Sequence, residues 1–210
     1  MRASTTGILL LVLLCGGDAV RAQTPARLQV GQTVNATLPA DDTLRYELDL
    51  PNGHFVAGRV EQDGVDVTVT VKDPAGGRVL SAARVGQGSP EAFAFAADSA
   101  GRYVIEVAPA DTGAGGSVRV GLTRSEPVAT TPEGKVDQAA AYLYDDTPGA
   151  VVGVIRDGQL AFVKAYGAAD LTHGVEFTPE TPTNIGSTSK QFTGFALALL
   201  ASRGALSLDD

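Results

Sequence analysis

Apolar and polar positions alternate with a period of two, in short runs, from about residue 29 to residue 124. The runs are 33–38, 44–50, 55–61, 65–71, 78–82, 92–96, 103–108 and 118–123, many of them rich in β-branched residues. Side chains on a strand point alternately to its two faces, so each run predicts a strand with one buried side. Pro51-Asn52-Gly53, Asp63-Gly64, Asp73-Pro74-Ala75-Gly76-Gly77 and the glycines of 113–116 separate them. Glycine supplies positive φ and proline fixes φ, so these are turn signals. Short strands at this spacing, with no helical period between them, predict an all-β sandwich over 23–124.

The pattern changes after residue 124. Pro127, Pro132, Gly134 and two threonines mark 125–135 as a linker. Val136, Ala139, Ala140 and Leu143 then predict a short amphipathic helix. Strands are expected over 150–155 and 160–165, joined by Arg156-Asp157-Gly158-Gln159, where Asp-Gly signals a tight hairpin. Phe192, Phe195, Ala196, Leu199 and Leu200 recur at helical spacing, and Arg203-Gly204 supplies a basic last turn and a stop.

The first 22 residues read differently again. Arg2, an apolar run over 8–14, and Val20-Arg21-Ala22 before Gln23 have the layout of a secretory signal peptide. The run is too short to span a bilayer, so no membrane span is expected. The mature protein is accordingly expected in the periplasm or outside the cell. Cys15, the only cysteine, lies inside this segment, which removes disulfides and thiolate metal sites from the expectation.

Composition narrows the function classes. The chain has 210 residues, 44% of them hydrophobic and 19% charged, which suits a soluble globular protein. Net charge is −8 and Lys and Arg form no run, which argues against nucleic acid and anionic membrane as partners. No cofactor or metal is expected. The glycines of 113–116 precede a strand rather than a helix, so they form a turn and no phosphate cradle. His54 lacks a second ligand at metal spacing, nothing at a catalytic spacing accompanies His173, and Asp41, Asp42, Asp63 and Asp66 read as solvated loop carboxylates.

The candidate chemistry lies in Asn184-Ile185-Gly186-Ser187-Thr188-Ser189-Lys190-Gln191-Phe192-Thr193. Ser187 and Lys190 are three apart at an expected helix start, which puts them on one face. A serine hydroxyl becomes a good nucleophile when a neighbouring base takes its proton. Lysine serves as that base only when neutral, and burial or a second cation is what lowers its pKa from about 10.4. The helix N-terminus would favour the oxyanion formed when Ser187 attacks a carbonyl. Tyr166, at a strand end before the serine, is expected to pack rather than to catalyse.

Pro148 to Leu160, Lys164 to Leu171, Thr181 to Lys190 and Gly204 to Asp210 together resemble the start of the serine β-lactamase and penicillin-binding-protein superfamily, in its class C-like, DD-peptidase and esterase branch. The resemblance covers about residues 136–210. It implies an α+β β-lactamase/transpeptidase-like domain in which Ser187 is the acylated nucleophile and Lys190 its proton-transfer partner. A small molecule or a peptidoglycan peptide would be the substrate. Family members carry Tyr-x-Asn or Ser-x-Asn, and Lys/His-Thr/Ser-Gly, further on. Here Asn35, Asn52 and Asn184 all precede Ser187. Residues 136–210 are therefore expected to be the front part of such a domain, inactive alone. Asp66 to Val71 with Asp73-Pro74, and Gly101 to Val107, are similar to the bacterial pre-peptidase C-terminal type of domain, which implies a jelly-roll-like accessory sandwich. A competing expectation is a noncatalytic secreted binding protein in which that sandwich carries the function.

Overall fold

The Val-Thr-Val-Thr-Val run of β5 (Val67–Lys72) buries all three valines completely and leaves the threonines half-buried on the other side. The same rule shapes its neighbours in a computed structural model that describes residues 26–86 and 88–209. The signal-peptide reading of 1–22 lies outside those residues. β3 (Leu44–Leu50) turns Leu44, Tyr46, Leu48 and Leu50 inward. β7 (Glu91–Ala97) turns in Phe93 and Phe95 and presents alanines outward. β8 (Gly101–Pro109) contributes Tyr103, Ile105 and Val107. The remaining strands of this unit are β1 (Ala26–Arg27), β2 (Thr33–Leu38), β4 (His54–Asp63), β6 (Arg78–Ala82) and β9 (Gly116–Pro127).

Hydrogen bonding orders them as β1-β3-β8-β5-β6 in one sheet and β2-β9-β4-β7 in the other. The pairs are antiparallel except β1 with β3. Inward side chains of both sheets form one apolar cluster, so the unit is the expected all-β sandwich. β5 begins two residues later than the alternation suggests, and at its start the Gln62 side chain accepts the Val67 N–H, at 2.8 Å. β1, two residues long, is too short for a periodic signal.

Two features of the interior go beyond apolar packing. β4 runs between β9 and β7, and at Gly58 a Cβ would stand 2.4 Å from the Phe93 ring and 2.5 Å from the Gly121 carbonyl oxygen. Only hydrogen fits there. Polar side chains also hold the backbone at residues 84–86 and 89. Buried Gln62 donates to the carbonyls of Gly86 and Ser89 at 3.0 and 2.8 Å. Buried Glu91 accepts the N–H groups of Arg84 and Val85 at 2.7 and 3.1 Å. Its other oxygen, Oε1, has no partner among the described residues.

The outer face of the five-stranded sheet carries a ladder of opposite charges. Asp49 meets Arg27 and Arg102, Glu47 meets Arg102, and Glu106 meets Arg45 and Lys72. Most of these pairs are solvated, and each such pair contributes about 0–1 kcal/mol. Glu106 is the exception, with a side chain only 16% exposed. Burial pushes its carboxyl up. Hydrogen bonds from Lys72 and Arg45, with their charges, outweigh that and hold it below the usual range.

The second unit covers 128–209 and is built from local signals. The stretch expected as a linker over 125–135 is strand as far as Pro127 and helix from Pro132. α1 (Pro132–Ala139) starts at Thr131, whose hydroxyl accepts the Gly134 N–H, with Pro132 in the first turn. The apolar spacing of Val136, Ala139, Ala140 and Leu143 predicts a later helix. The cap signals place it earlier, and after Ala139 the backbone tightens into three-residue turns, Ala141 to Gln138 and Leu143 to Ala140. β10 (Ala150–Arg156) and β11 (Gln159–Tyr166) form the expected hairpin. Its two-residue turn has φ of 52° at Asp157 and 74° at Gly158, the type I′ pattern that matches strand twist. β12 (Ala168–Asp170) and β13 (Val175–Glu176) form a second, smaller hairpin. Gly186–Ser189 is a 3-10 turn that leads into α2 (Lys190–Ser202).

Replacing Gly58 by alanine is expected to destabilise the sandwich by about 1–3 kcal/mol, since neither the ring nor the backbone carbonyl can retreat freely. Gly86→Ala, with open space at its Cβ, serves as the control. Paired urea melts decide it, and equal midpoints would refute the packing argument. A second expectation concerns pH. A carboxyl held low in the folded state stabilises above its unfolded pKa, and that stabilisation is lost as pH falls through the folded value. Stability should therefore drop below about pH 4, and Glu106→Gln should flatten that drop in melts taken from pH 7 to pH 2.

Candidate active site

The turn carrying Ser187 is set by its own sequence. Asn184 Oδ1 accepts the Gly186 N–H at 2.7 Å, closing a side-chain turn two residues long. Gly186 then adopts φ of 55°, a conformation that glycine reaches without strain. The Thr188 N–H bonds to the Ile185 carbonyl at 3.2 Å, and the Ser189 hydroxyl donates to the Gly186 carbonyl at 2.8 Å. The Lys190 N–H bonds to the Ser187 carbonyl, which ends the 3-10 turn at the first residue of α2.

This geometry bears directly on the serine–lysine pair. The spacing predicts one α-helix through both residues, whereas Ser187 lies in a 3-10 turn and Lys190 opens the α-helix. A 3-10 turn has three residues per turn, so side chains at i and i+3 eclipse. Ser187 and Lys190 therefore start from the same side of the chain. The positive end of the α2 dipole lies at this turn.

Burial is a different matter. Ser187 and Lys190 are both exposed, and α2 has no buried residue. Phe192 is 64% and Phe195 70% exposed, with Leu197, Leu199 and Leu200 also open. Ile155 and Leu160 of the first hairpin are exposed as well. The described residues place the two groups one turn apart without building the dry surroundings that proton transfer to a lysine requires.

Residues the sequence sets aside acquire structural roles. The Tyr166 hydroxyl and Lys164 Nζ both meet Asp137 Oδ1 at 2.7 Å, which ties β11 to α1. His173 Nδ1 lies 2.8 Å from the Asp170 carboxylate, whose other oxygen accepts the N–H groups of Thr172 and His173. The hydrogen bond from the His173 ring is the main reason the Asp170 carboxyl lies below its ordinary range. That pair shapes the turn between β12 and β13, and an Asp at the turn start followed by Gly174 is the signal that could have found this hairpin. His54 contacts the Ser125 hydroxyl at 3.0 Å on the sandwich. Asp41 and Asp42 accept the N–H groups of Gly113 and Thr43. Among the described residues no group of three or more His, Cys, Asp or Glu is placed to hold a metal, and no helix is long and apolar enough to cross a membrane.

Residues 136–210 match the family Beta-lactamase. Over 63 residues the chain is 38% identical to Protein flp of Staphylococcus aureus, covering 30% of this chain and 13% of that protein. Over 62 residues it is 45% identical to Serine beta-lactamase-like protein LACTB, mitochondrial, of Homo sapiens, covering 30% of this chain and 11% of that one. The chain thus spans a small part of the length of these relatives. The pre-peptidase C-terminal domain of collagenase from Bacillus anthracis aligns with 49% of this chain and 97% of its own, at 18% identity and a TM-score of 0.40. The C-terminal part of the chain is β-lactamase-like, related to a serine hydrolase-type family, and a β-sandwich precedes it.

Replacing Asn184 by alanine removes the acceptor that closes the Ser187 turn. Faster amide exchange over 186–190, with an unchanged sandwich melt, is the expected result. Unchanged exchange there would mean that the turn does not depend on Asn184.

Proposed function

We propose that the protein is a secreted serine hydrolase acting on an amide or ester carbonyl through an acyl-enzyme on Ser187. The observation that carries this reading is the 3-10 turn that sets Ser187 three residues ahead of Lys190, at the mouth of α2, inside the β-lactamase-like region. Lys190, in its neutral form, takes the Ser187 hydroxyl proton as Oγ bonds to the carbonyl carbon. The bond to the leaving nitrogen or oxygen then breaks, and the leaving group departs with that proton. Water attacks the resulting ester, which returns the acid product and the free serine. The substrate is a small molecule or a peptidoglycan peptide: a β-lactam, a D-Ala-D-Ala stem or an ester. The signal-like residues 1–22 support a periplasmic or extracellular location. The base step also requires cover for Lys190 and for the apolar side chains of α2, so residues 136–210 alone are expected to be inactive.

A second reading rests on the open surface of α2: a noncatalytic binding protein whose sandwich carries the function.

The two separate cleanly. The protein expressed from its gene is treated with a fluorescent β-lactam and, separately, with a fluorescent acyl phosphonate. Covalent labelling that disappears in Ser187→Ala, and falls at least about 100-fold in Lys190→Ala, is expected for the enzyme. Equal labelling of the wild type and Ser187→Ala would eliminate it.

A further inference from the structure

The outer face of the four-stranded sheet holds a groove of about 520 Å³ at its β2 edge, within the size range of small-molecule sites. Strand register explains why a hollow forms there. Asn35, Arg119 and Glu61 lie directly across from one another on β2, β9 and β4, and Thr37, Ser117 and Asp63 form the next row. Neighbours within a row are about 5 Å apart and the rows about 7 Å apart. The first row carries the long side chains of Arg119 and Glu61. The second has two short hydroxyl residues at Thr37 and Ser117, so the surface sinks beside the Asn35–Arg119–Glu61 wall.

The charges in this grid select against most ligands. Glu61 is engaged by Arg119 on one oxygen and by Arg59, at 3.1 Å, on the other. No ion pair reaches Asp63 among the described residues. An anion entering the groove would meet the Asp63 carboxylate, and a cation would meet Arg119. An apolar group would strand the hydroxyls, the Asn35 amide and the carboxylate without water. Groups that donate and accept at once fit every position: Asp63 accepts from a hydroxyl, Arg119 donates to one, and Asn35, Thr37 and Ser117 do both.

We propose that this face of the sandwich is a binding site for a neutral saccharide chain. The chain lies across β2, β9 and β4, with Asp63 taking adjacent sugar hydroxyls and Arg119 and Asn35 lining the opposite wall. The groove offers no aromatic face to stack a ring, so recognition is by hydrogen bonds and the affinity is low. This site is independent of Ser187.

The test uses the isotope-labelled full chain and three probes: neutral tetra-N-acetylchitotetraose, its fully deacetylated cationic counterpart, and inorganic phosphate. Saturable amide shifts over 35–37, 61–63 and 117–119 with the neutral oligomer are expected, and weaker or no shifts with the other two. Ser117→Leu fills the hollow from an exposed position without offering a ring to stack on, and should weaken binding about tenfold or more, with an unchanged melting midpoint. Asp63→Asn keeps an acceptor but not the charge, so binding should hold within about threefold. The proposal fails if no saturable shift appears there, if Ser117→Leu binds as before, or if the cationic oligomer or phosphate binds more tightly. Loss of binding in Asp63→Asn would likewise overturn it, since that outcome marks a site for a cation.

Discussion

Removal of inward-facing aliphatic and aromatic side chains from water is the interaction on which this structure depends. Val67, Val69 and Val71 from one sheet, and Val56, Val60, Phe93 and Phe95 from the other, sit in a common interior. Apolar area taken out of water is worth about 25 cal/mol per Å². Backbone hydrogen bonds then set register, because a shift of one residue would turn those side chains outward and bring Thr68, Thr70 and Ala94 in. The outer ladder of Arg45, Glu106 and Lys72 rides on that register. So does the polar grid of Asn35, Arg119, Thr37, Ser117 and Asp63.

The second unit relies on a different balance. Its elements are closed by short-range devices: the Thr131 cap on α1, the Asp157-Gly158 turn, the Asp170 turn and the Asn184 turn. Such contacts decide conformation locally but bury little apolar surface. α2 shows the consequence, since Phe192 and Phe195 point their large side chains to solvent. The β-lactamase-like region therefore holds the turn at Ser187 in shape through hydrogen bonds rather than through packing.

That division matters for chemistry. Alignment of Ser187 and Lys190 needs only a turn and a helix start, and the backbone supplies both. Activation of a lysine as base needs low dielectric around it, which is a property of many side chains packed together. The described residues align the pair and leave both side chains exposed. The sandwich groove has the opposite character, because its shape comes from strand pairing between residues more than 50 positions apart, such as Glu61 and Arg119.

Alternation and turn residues were enough to read the sandwich strands, since period-two burial and glycine φ preferences are local properties. The Asp157-Gly158 hairpin and the serine–lysine spacing were legible for the same reason. The start of α1 was misplaced because apolar spacing continued past Ala139 while Thr131 and Pro132 decided the cap. β1 and the small second hairpin were too short to carry a period. Only tertiary structure decided which strands became neighbours, that Gly58 must lack a side chain beneath Phe93, that Glu91 and Gln62 would be buried to hold a loop, and that Thr37 and Ser117 would meet Asp63 in a hollow. Each of these depends on contacts between distant segments, and no local periodicity encodes which distant segment arrives.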